Sequence, residues 1–314
     1  MLHIGIVGLG AIGQRLIKQF MAHSEVEITA VCDRLEALAT ETARELGGIQ
    51  VYTDYNDLIA DPSVELIYVA VPPKFHHQIV TDSLKSKKHV LCEKPLANSL
   101  EEAKEMAMLA KESGVIHAMN FPLNYEAAPT KLAELISQNY VGELRRVQLT
   151  MHFPVWPRLW QRNDWVGGRE QGGFVLEVGV HFIQQILKLF GDVQTIQARL
   201  ELPVDPEKCE TGILATAELA NGTPLLIEGL SHIAGKEYIG FTVFGTEGIL
   251  KLENWGELKG GKNGEELNVI SVEDSTPKSL INEIIKAVNG EEAEIYNFEI
   301  GYHAQKVLEA LRKN

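Results

Sequence analysis

The 314 residues carry 29 Lys plus Arg against 43 Asp plus Glu, a formal net charge of -14. That excess of acid argues against a nucleic-acid scaffold or a polybasic membrane binder, both of which need a cationic surface, though it leaves room for a local basic pocket. At 45% hydrophobic and 23% charged residues the composition is ordinarily globular, and the length predicts two domains at roughly 100–200 residues each.

Residues 2–7 are short, apolar and rich in Ile and Val, the pattern of a buried strand. From 11 to 21, Ile12, Leu16, Ile17 and Phe20 recur on one side at helical spacing. Residues 26–32 read as the next strand, and 35–46 as an Ala- and Glu-rich helix stopped by Gly47-Gly48. Residues 66–71 are nearly all apolar, as in a parallel strand covered on both faces, and Pro72-Pro73 ends the run. A helix over 76–86 and a strand over 89–92 follow. Ser99 then caps a helix, with Glu102 three residues on as in a capping box. A strand over 115–119 completes an alternation that predicts a doubly wound parallel sheet.

Beyond Phe121-Pro122 the pattern changes. A helix from about 125 to 138 leads into a longer strand over 144–153, a Trp- and Arg-rich loop, and a helix from about 173 to 190. From 193 to 252 several alternating segments with turn signals such as Asn221-Gly222 predict a mostly antiparallel sheet of α+β type. Residues 278–288 and 297–312 read as helices.

Cys32, Cys92 and Cys209 are sparse and odd in number, which gives neither a disulfide framework nor a metal site. No basic leader precedes the first apolar run, and no stretch reaches the roughly 18 apolar residues of a spanning helix. The expected compartment is the cytoplasm, and neither membrane nor nucleic acid is an expected partner.

The first strand runs straight into Gly8-Leu9-Gly10-Ala11-Ile12-Gly13, which opens a helix. In that setting Gly8 permits a tight turn, Gly10 lets backbone approach a pyrophosphate, and Gly13 lets helix pack closely on strand. The helix N-terminus presents N–H groups and partial positive charge to phosphates. Asp33 stands twenty positions after Gly13, where a carboxylate accepts hydrogen bonds from ribose hydroxyls. It would repel a 2′-phosphate, so NAD is the expected cofactor. Arg34 keeps NADP open, because a guanidinium there could pair with that phosphate.

Glu93-Lys94-Pro95 follows directly on Val90-Leu91-Cys92. Together with Pro72-Pro73-Lys74-Phe75-His76 and Gly172-Gly173 … Gly179-Val180-His181, this run resembles the Gfo/Idh/MocA family, the glucose-fructose oxidoreductase and inositol dehydrogenase group, over essentially the whole chain. The resemblance implies a dinucleotide-binding Rossmann domain at 1–121 and a substrate-binding and oligomerisation α+β domain at 122–314. Its open sheet would support a homodimer or homotetramer. It also implies hydride transfer between a nicotinamide and a hydroxyl-bearing carbon of a sugar, polyol or cyclic diol. Lys94 would sit by the reacting oxygen, and Pro95 could follow a cis bond that aims it. His181 would be the acid–base residue, with neutral imidazole as a plausible base. Pro72, His76 and Glu93 would lie by the cofactor, although His76 could equally serve packing or the helix start. Glu177, four residues before His181, would share its helix face and touch substrate. Relatives often carry Asp there and Asp at the position of Gln184, so inositol-type specificity is in doubt.

Trp156, Trp160 and Trp165 lie among Arg145, Arg146, Arg158, Arg162 and Arg169, the one basic patch in an acidic chain. Trp156, Arg158 and Arg162 are candidates for a pocket wall, or else for a solvated loop or a subunit contact. Asn124 and Tyr125 could bind hydroxyls or form a helix cap. His152, His232 and His303 match no metal-ligand spacing, so no metal is expected. Two other functions stay open: a dinucleotide-binding regulator or sensor without turnover, and a reductase of another carbonyl or conjugated small molecule.

Overall fold

The structure, a computed structural model, describes every residue except Arg162, Asp164 and Asn314. In chain order the elements of the first half are β1 (Leu2–Val7), α1 (Ala11–Met21), β2 (Val26–Cys32), α2 (Glu36–Glu45), β3 (Gln50–Tyr52), α3 (Tyr55–Ala60), β4 (Leu66–Val69), α4 (His76–Lys85), β5 (His89–Glu93), α5 (Leu100–Ser113) and β6 (His117–Asn120). Then come α6 (Ala127–Ser137), β7 (Leu144–Phe153), α7 (Val180–Phe190), β8 (Val193–Glu201), β9 (Gly212–Leu219), β10 (Pro224–Ser231), β11 (Tyr238–Gly245), β12 (Gly248–Glu253), β13 (Glu257–Lys262), β14 (Asn268–Val269), α8 (Leu280–Val288) and α9 (Phe298–Arg312).

The chain divides into two compact units, one of Met1–Asn120 with Ser279–Gln305, the other of Phe121–Lys278 with the residues from Lys306 onward. The segment 279–305 thus clusters with the N-terminal unit, whereas the sequence reading kept all of 122–314 together.

In the first unit six strands form one sheet in the order β3-β2-β1-β4-β5-β6, every neighbouring pair parallel. This is the doubly wound order with its switch point between β1 and β4. β4 is buried along its whole length, as its unbroken apolar sequence requires. On α1 the buried residues are Gly13, Leu16, Ile17 and Phe20, and Phe20 meets Tyr68 of β4 edge to face at 5.8 Å. The Ser99 hydroxyl accepts from Glu102 N at 3.2 Å, and the Glu102 carboxylate returns to Asn98 N at 3.1 Å, one residue before the cap. The late segment closes the β6 edge: Met119 N donates to the Tyr296 carbonyl at 2.7 Å, and Phe298 N to His117 Nδ1 at 3.2 Å.

In the second unit eight strands form a sheet in the order β14-β13-β12-β11-β7-β10-β9-β8. The β7–β10 pair is parallel and the other neighbours antiparallel. Burial alternates along β9 and β10, so Ile213, Ala215, Leu225 and Ile227 face a core while Leu214, 58% exposed, lies on the open face. Phe182 of α7 packs 6.0 Å from Phe241 of β11.

Three sequence expectations change. β3 and α3 were not foreseen; at three and six residues they are too short to show a period. The helix expected from 125 begins as a 3₁₀ turn over Pro122–Tyr125. The helix expected from 173 begins as a π-helical turn over Val175–Gly179, ahead of α7.

Candidate functional site

In the first unit, β1 delivers the chain into a turn that only glycine can make. Gly8 has φ +97°, and a Cβ there would stand 2.5 Å from the Ala70 carbonyl oxygen. A Cβ on Gly13 would stand 2.2 Å from the Gly8 carbonyl oxygen. Gly10 differs: a Cβ there would meet no protein atom within 4 Å. Packing therefore does not demand glycine at 10, but close approach by a pyrophosphate does. No side chain caps α1, so its first N–H groups and positive dipole end are left for an anion.

Asp33 is fixed beside this turn. One carboxylate oxygen accepts from Leu9 N at 2.9 Å and the other from Leu35 N at 3.0 Å. Each oxygen keeps lone-pair capacity for a hydroxyl. The Arg34 guanidinium lies 5.9 Å, and the Lys74 ammonium 5.2 Å, from the ring centre of Phe75, which is 40% exposed. Glycine turn, bare helix start and oriented carboxylate together fit a dinucleotide.

Pro72 is extended and leads into a 3₁₀ turn over Pro73–Phe75. His76 then opens α4, fully buried, with Nε2 2.8 Å from the Val71 carbonyl oxygen and Nδ1 2.9 Å from that of Pro95. Burial pushes its pKa below the usual imidazole value. The neutral ring donates its one N–H to one of these carbonyls, and with both nitrogens turned to backbone the packing role is the one the geometry favours for His76.

β5 ends at Glu93. The Glu93 carboxylate is buried, accepting from the Tyr68 hydroxyl at 2.7 Å and Asn120 Nδ2 at 2.6 Å, so it links the ends of β4, β5 and β6. Burial pushes the Glu93 carboxyl up and the Tyr68 hydroxyl well up. Glu93 is thus a brace inside the sheet, and the half-buried Lys94 follows it, joined to Pro95 by a cis bond.

In the second unit Glu177 lies in the π-helical turn and His181 in α7, exposed by only 7% and 8%. The wider turn alters the face-sharing that regular helical spacing implied for this pair. Glu210, which sequence reasoning missed, accepts from Val175 N at 2.8 Å and so holds the start of this segment. Gly173, with φ +99°, gives it room: a Cβ there would lie 2.2 Å from a Glu210 oxygen. Trp255, also missed, meets the His181 ring edge to face at 5.3 Å.

The Trp and Arg cluster divides: Trp156 is buried, Trp165, Arg158 and Arg169 are partly buried, and Arg145, Arg146 and Trp160 are exposed. Trp156 is 5% exposed and packs edge to face on Phe153 at 4.9 Å and Phe174 at 5.9 Å, so it is core and not pocket wall. Arg158 binds Glu237 through Nε at 3.0 Å and a terminal nitrogen at 2.8 Å. Its guanidinium is also 5.1 Å from the Phe153 ring centre and 5.9 Å from that of Trp255. Such pairing leaves it little to offer a ligand. Arg162 lies outside the described residues. Asn124 is buried, donating to Gln184 Oε1 at 2.8 Å and accepting from Gln185 at 2.9 Å and Lys188 at 3.1 Å. It tethers the 3₁₀ turn to α7 instead of reaching for hydroxyls, and this tether also accounts for Gln184. Tyr125 ends that turn, half-buried. His152 pairs with Glu228 at 3.1 Å, and among the described residues no His, Cys, Asp and Glu group is arranged to hold a metal ion. No helix among them is long and apolar enough to cross a membrane.

A six-stranded doubly wound sheet ending in this glycine turn and oriented carboxylate defines an NAD-binding Rossmann domain. Residues 2–121 match the family model described as the oxidoreductase family, NAD-binding Rossmann fold, and residues 130–251 match that of the GFO/IDH/MocA C-terminal domain. The chain belongs to the Gfo/Idh/MocA oxidoreductases. It is 31% identical over 191 residues to an uncharacterized oxidoreductase of Schizosaccharomyces pombe, a match spanning 58% of this chain and 51% of that one. It is 29% identical over 217 residues to the myo-inositol 2-dehydrogenase of Thermotoga maritima, 69% of this chain and 63% of that one. The fold is shared with a solved levoglucosan dehydrogenase in complex with NADH, at TM-score 0.84 and 20% identity over 99% of this chain and 95% of that one.

Proposed function

We propose that the chain is a dehydrogenase or reductase that moves a hydride between NAD and a hydroxyl-bearing carbon of a sugar, polyol or cyclic diol. The observation that carries this reading is the position of Lys94, directly beyond β5 at the carboxyl ends of the same parallel strands that bear Gly8 and Asp33. Ligands of doubly wound sheets bind at those ends. Gly8 to Gly13, Asp33 and the start of α1 hold the dinucleotide, and the Asp33 charge favours NAD over NADP. NAD, when bound, supplies the hydride acceptor or donor. Lys94 hydrogen-bonds the reacting oxygen and stabilises negative charge on it. His181 takes the hydroxyl proton, or returns it in the reverse direction. Glu177 contacts substrate near His181. The relatives named for myo-inositol and levoglucosan support the substrate class.

Cofactor binding is assigned to the first unit and substrate binding to the second, in a cytoplasmic enzyme that self-associates through the open sheet face around Leu214. The reading is tested by recording NAD and NADP reduction by fluorescence across polyols, aldoses and cyclic diols, with Lys94→Ala and His181→Ala beside the wild type. Turnover abolished by both substitutions, with NADH still bound, supports it. Turnover untouched by either would overturn the assignment, and tight NAD binding without turnover on any substrate would favour a sensor.

A further inference from the structure

Trp255 stands in a backbone conformation that aromatic residues rarely adopt. Its φ is +76°, and that of Asn254 before it is +46°. A left-handed bulky residue is unfavourable and persists only where the surrounding structure over-determines it. Here the surroundings do. Asn254 N donates to the Ile239 carbonyl at 2.9 Å, and Asn254 Oδ1 accepts from Ile239 N at 3.1 Å, so the turn between β12 and β13 is fastened to β11 at two points.

The indole that this turn projects meets the His181 ring at 5.3 Å and 85°, edge to face, and the Phe182 ring at 5.3 Å and 39°. The Arg158 guanidinium lies 5.9 Å from its centre and is itself held by Glu237. Glu237, Arg158, Trp255 and His181 therefore form a continuous chain of contacts within one unit. Phe182, the next residue on α7, is fully buried under the same indole. The left-handed turn brings a further aromatic ring onto the imidazole.

We propose that Trp255 is a positioning residue for His181, fixing the direction of its ring nitrogens, and that Arg158 and Glu237 hold Trp255 in place. The proposal rests on the acid–base role given to His181. A base whose ring can turn presents the wrong nitrogen for part of the time, and an edge-to-face contact opposes that rotation. Arg158 lies beyond the indole, and Glu177 stands four residues before His181.

The test uses the full chain and Trp255→Ala, Trp255→Phe and His181→Gln variants. Without any ligand, indole emission is compared at one pH between the wild type, Trp255→Phe, His181→Gln and the Trp255→Phe/His181→Gln double variant. His181→Gln is expected to change indole emission when Trp255 is present and to leave it unchanged in the Trp255→Phe background, because only Trp255 touches the imidazole. An equal change in both backgrounds would overturn the contact. With the substrate found on the polyol and sugar panel, Trp255→Ala should lower kcat about tenfold, a part of what general acid–base catalysis contributes, with NADH affinity unchanged. Trp255→Phe should restore most of it. Turnover lost in His181→Gln but unchanged in Trp255→Ala would overturn the positioning role alone. Turnover retained in His181→Gln would overturn the acid–base reading, and the role of Trp255 with it.

Discussion

The His76 ring reaches from the start of α4 to the Pro95 carbonyl oxygen, 2.9 Å from Nδ1, and so ties the switch-point side of the sheet to the residue after Lys94. The other nitrogen faces the Val71 carbonyl at 2.8 Å. His76→Ala would remove the one hydrogen bond the neutral ring donates to these carbonyls and open a cavity, at a cost of about 2–4 kcal/mol in urea unfolding. Because the Lys94 turn loosens, kcat should fall as well. Burial lowers the His76 pKa from 6.5, so the unfolded chain takes up a proton that the fold resists. The stability this contributes is present above about 6.5 and is lost as pH falls from there toward the lowered folded value. His76→Gln should flatten that part of the profile, measured by unfolding at pH 5 to 8; an unchanged slope would show that other groups set it.

Asp33 receives two backbone N–H groups and keeps capacity for ribose hydroxyls. Asp33→Ala should weaken NADH about tenfold to a hundredfold, in line with losing charged hydrogen bonds. NADPH should be weakened less, because the repulsion of a 2′-phosphate goes too and Arg34 remains. Fluorescence titration of both cofactors checks this, and equal losses would remove Asp33 as the discriminating residue.

The start of the His181-bearing segment depends on Glu210 and Gly173 as a pair. Glu210→Ala leaves Val175 N without its acceptor, a cost of about 1–3 kcal/mol. Gly173→Ala meets both the left-handed φ and the Glu210 carboxylate, and should cost at least about 2 kcal/mol. In the double variant the collision is gone and the φ penalty remains, so the two costs should sum to more than the measured total. Thermal unfolding of the four proteins reads this coupling; strict additivity would contradict the contact.

Arg158→Ala and Glu237→Ala should each destabilise the fold by about 1 kcal/mol, with a coupling of roughly 0.5–1 kcal/mol that shrinks in salt, as a bidentate pair with an exposed Glu237 and a largely buried Arg158 allows. Arg158→Ala should leave the Michaelis constant for substrate nearly unchanged and act on kcat. A large rise in that constant would return Arg158 to the substrate pocket.

The parts of this molecule that could be read from its sequence are those whose cause is local. The GxGxxG turn announces itself because Gly8 needs a positive φ and Gly13 is crowded by the Gly8 carbonyl five residues before it, and Asp33 because strand length fixes its distance. Other features depend on distant partners. Glu210 meets Val175 across 35 residues and Arg158 meets Glu237 across 79, and no spacing rule connects them. The parallel β7–β10 pair hides for the same reason. His76 and Asn124 were visible as polar residues at suggestive places, but only burial shows that their polar atoms are already used. Within the Trp and Arg cluster, composition could not distinguish Trp156, which is core, from Trp160, which is 54% exposed.

The return of residues 279–305 to the first unit carries a cost in time. As the chain is made, β6 is finished long before Tyr296, whose carbonyl accepts the Met119 N–H at that edge. At roughly 5–20 residues per second, the intervening stretch takes about 9–35 seconds to synthesise. Throughout that interval the newborn sheet shows an uncovered strand that another nascent chain can pair with. The cofactor unit is therefore the first to begin folding and among the last to be sealed, so crowded translation and slow elongation should favour its aggregation more than mature stability would suggest.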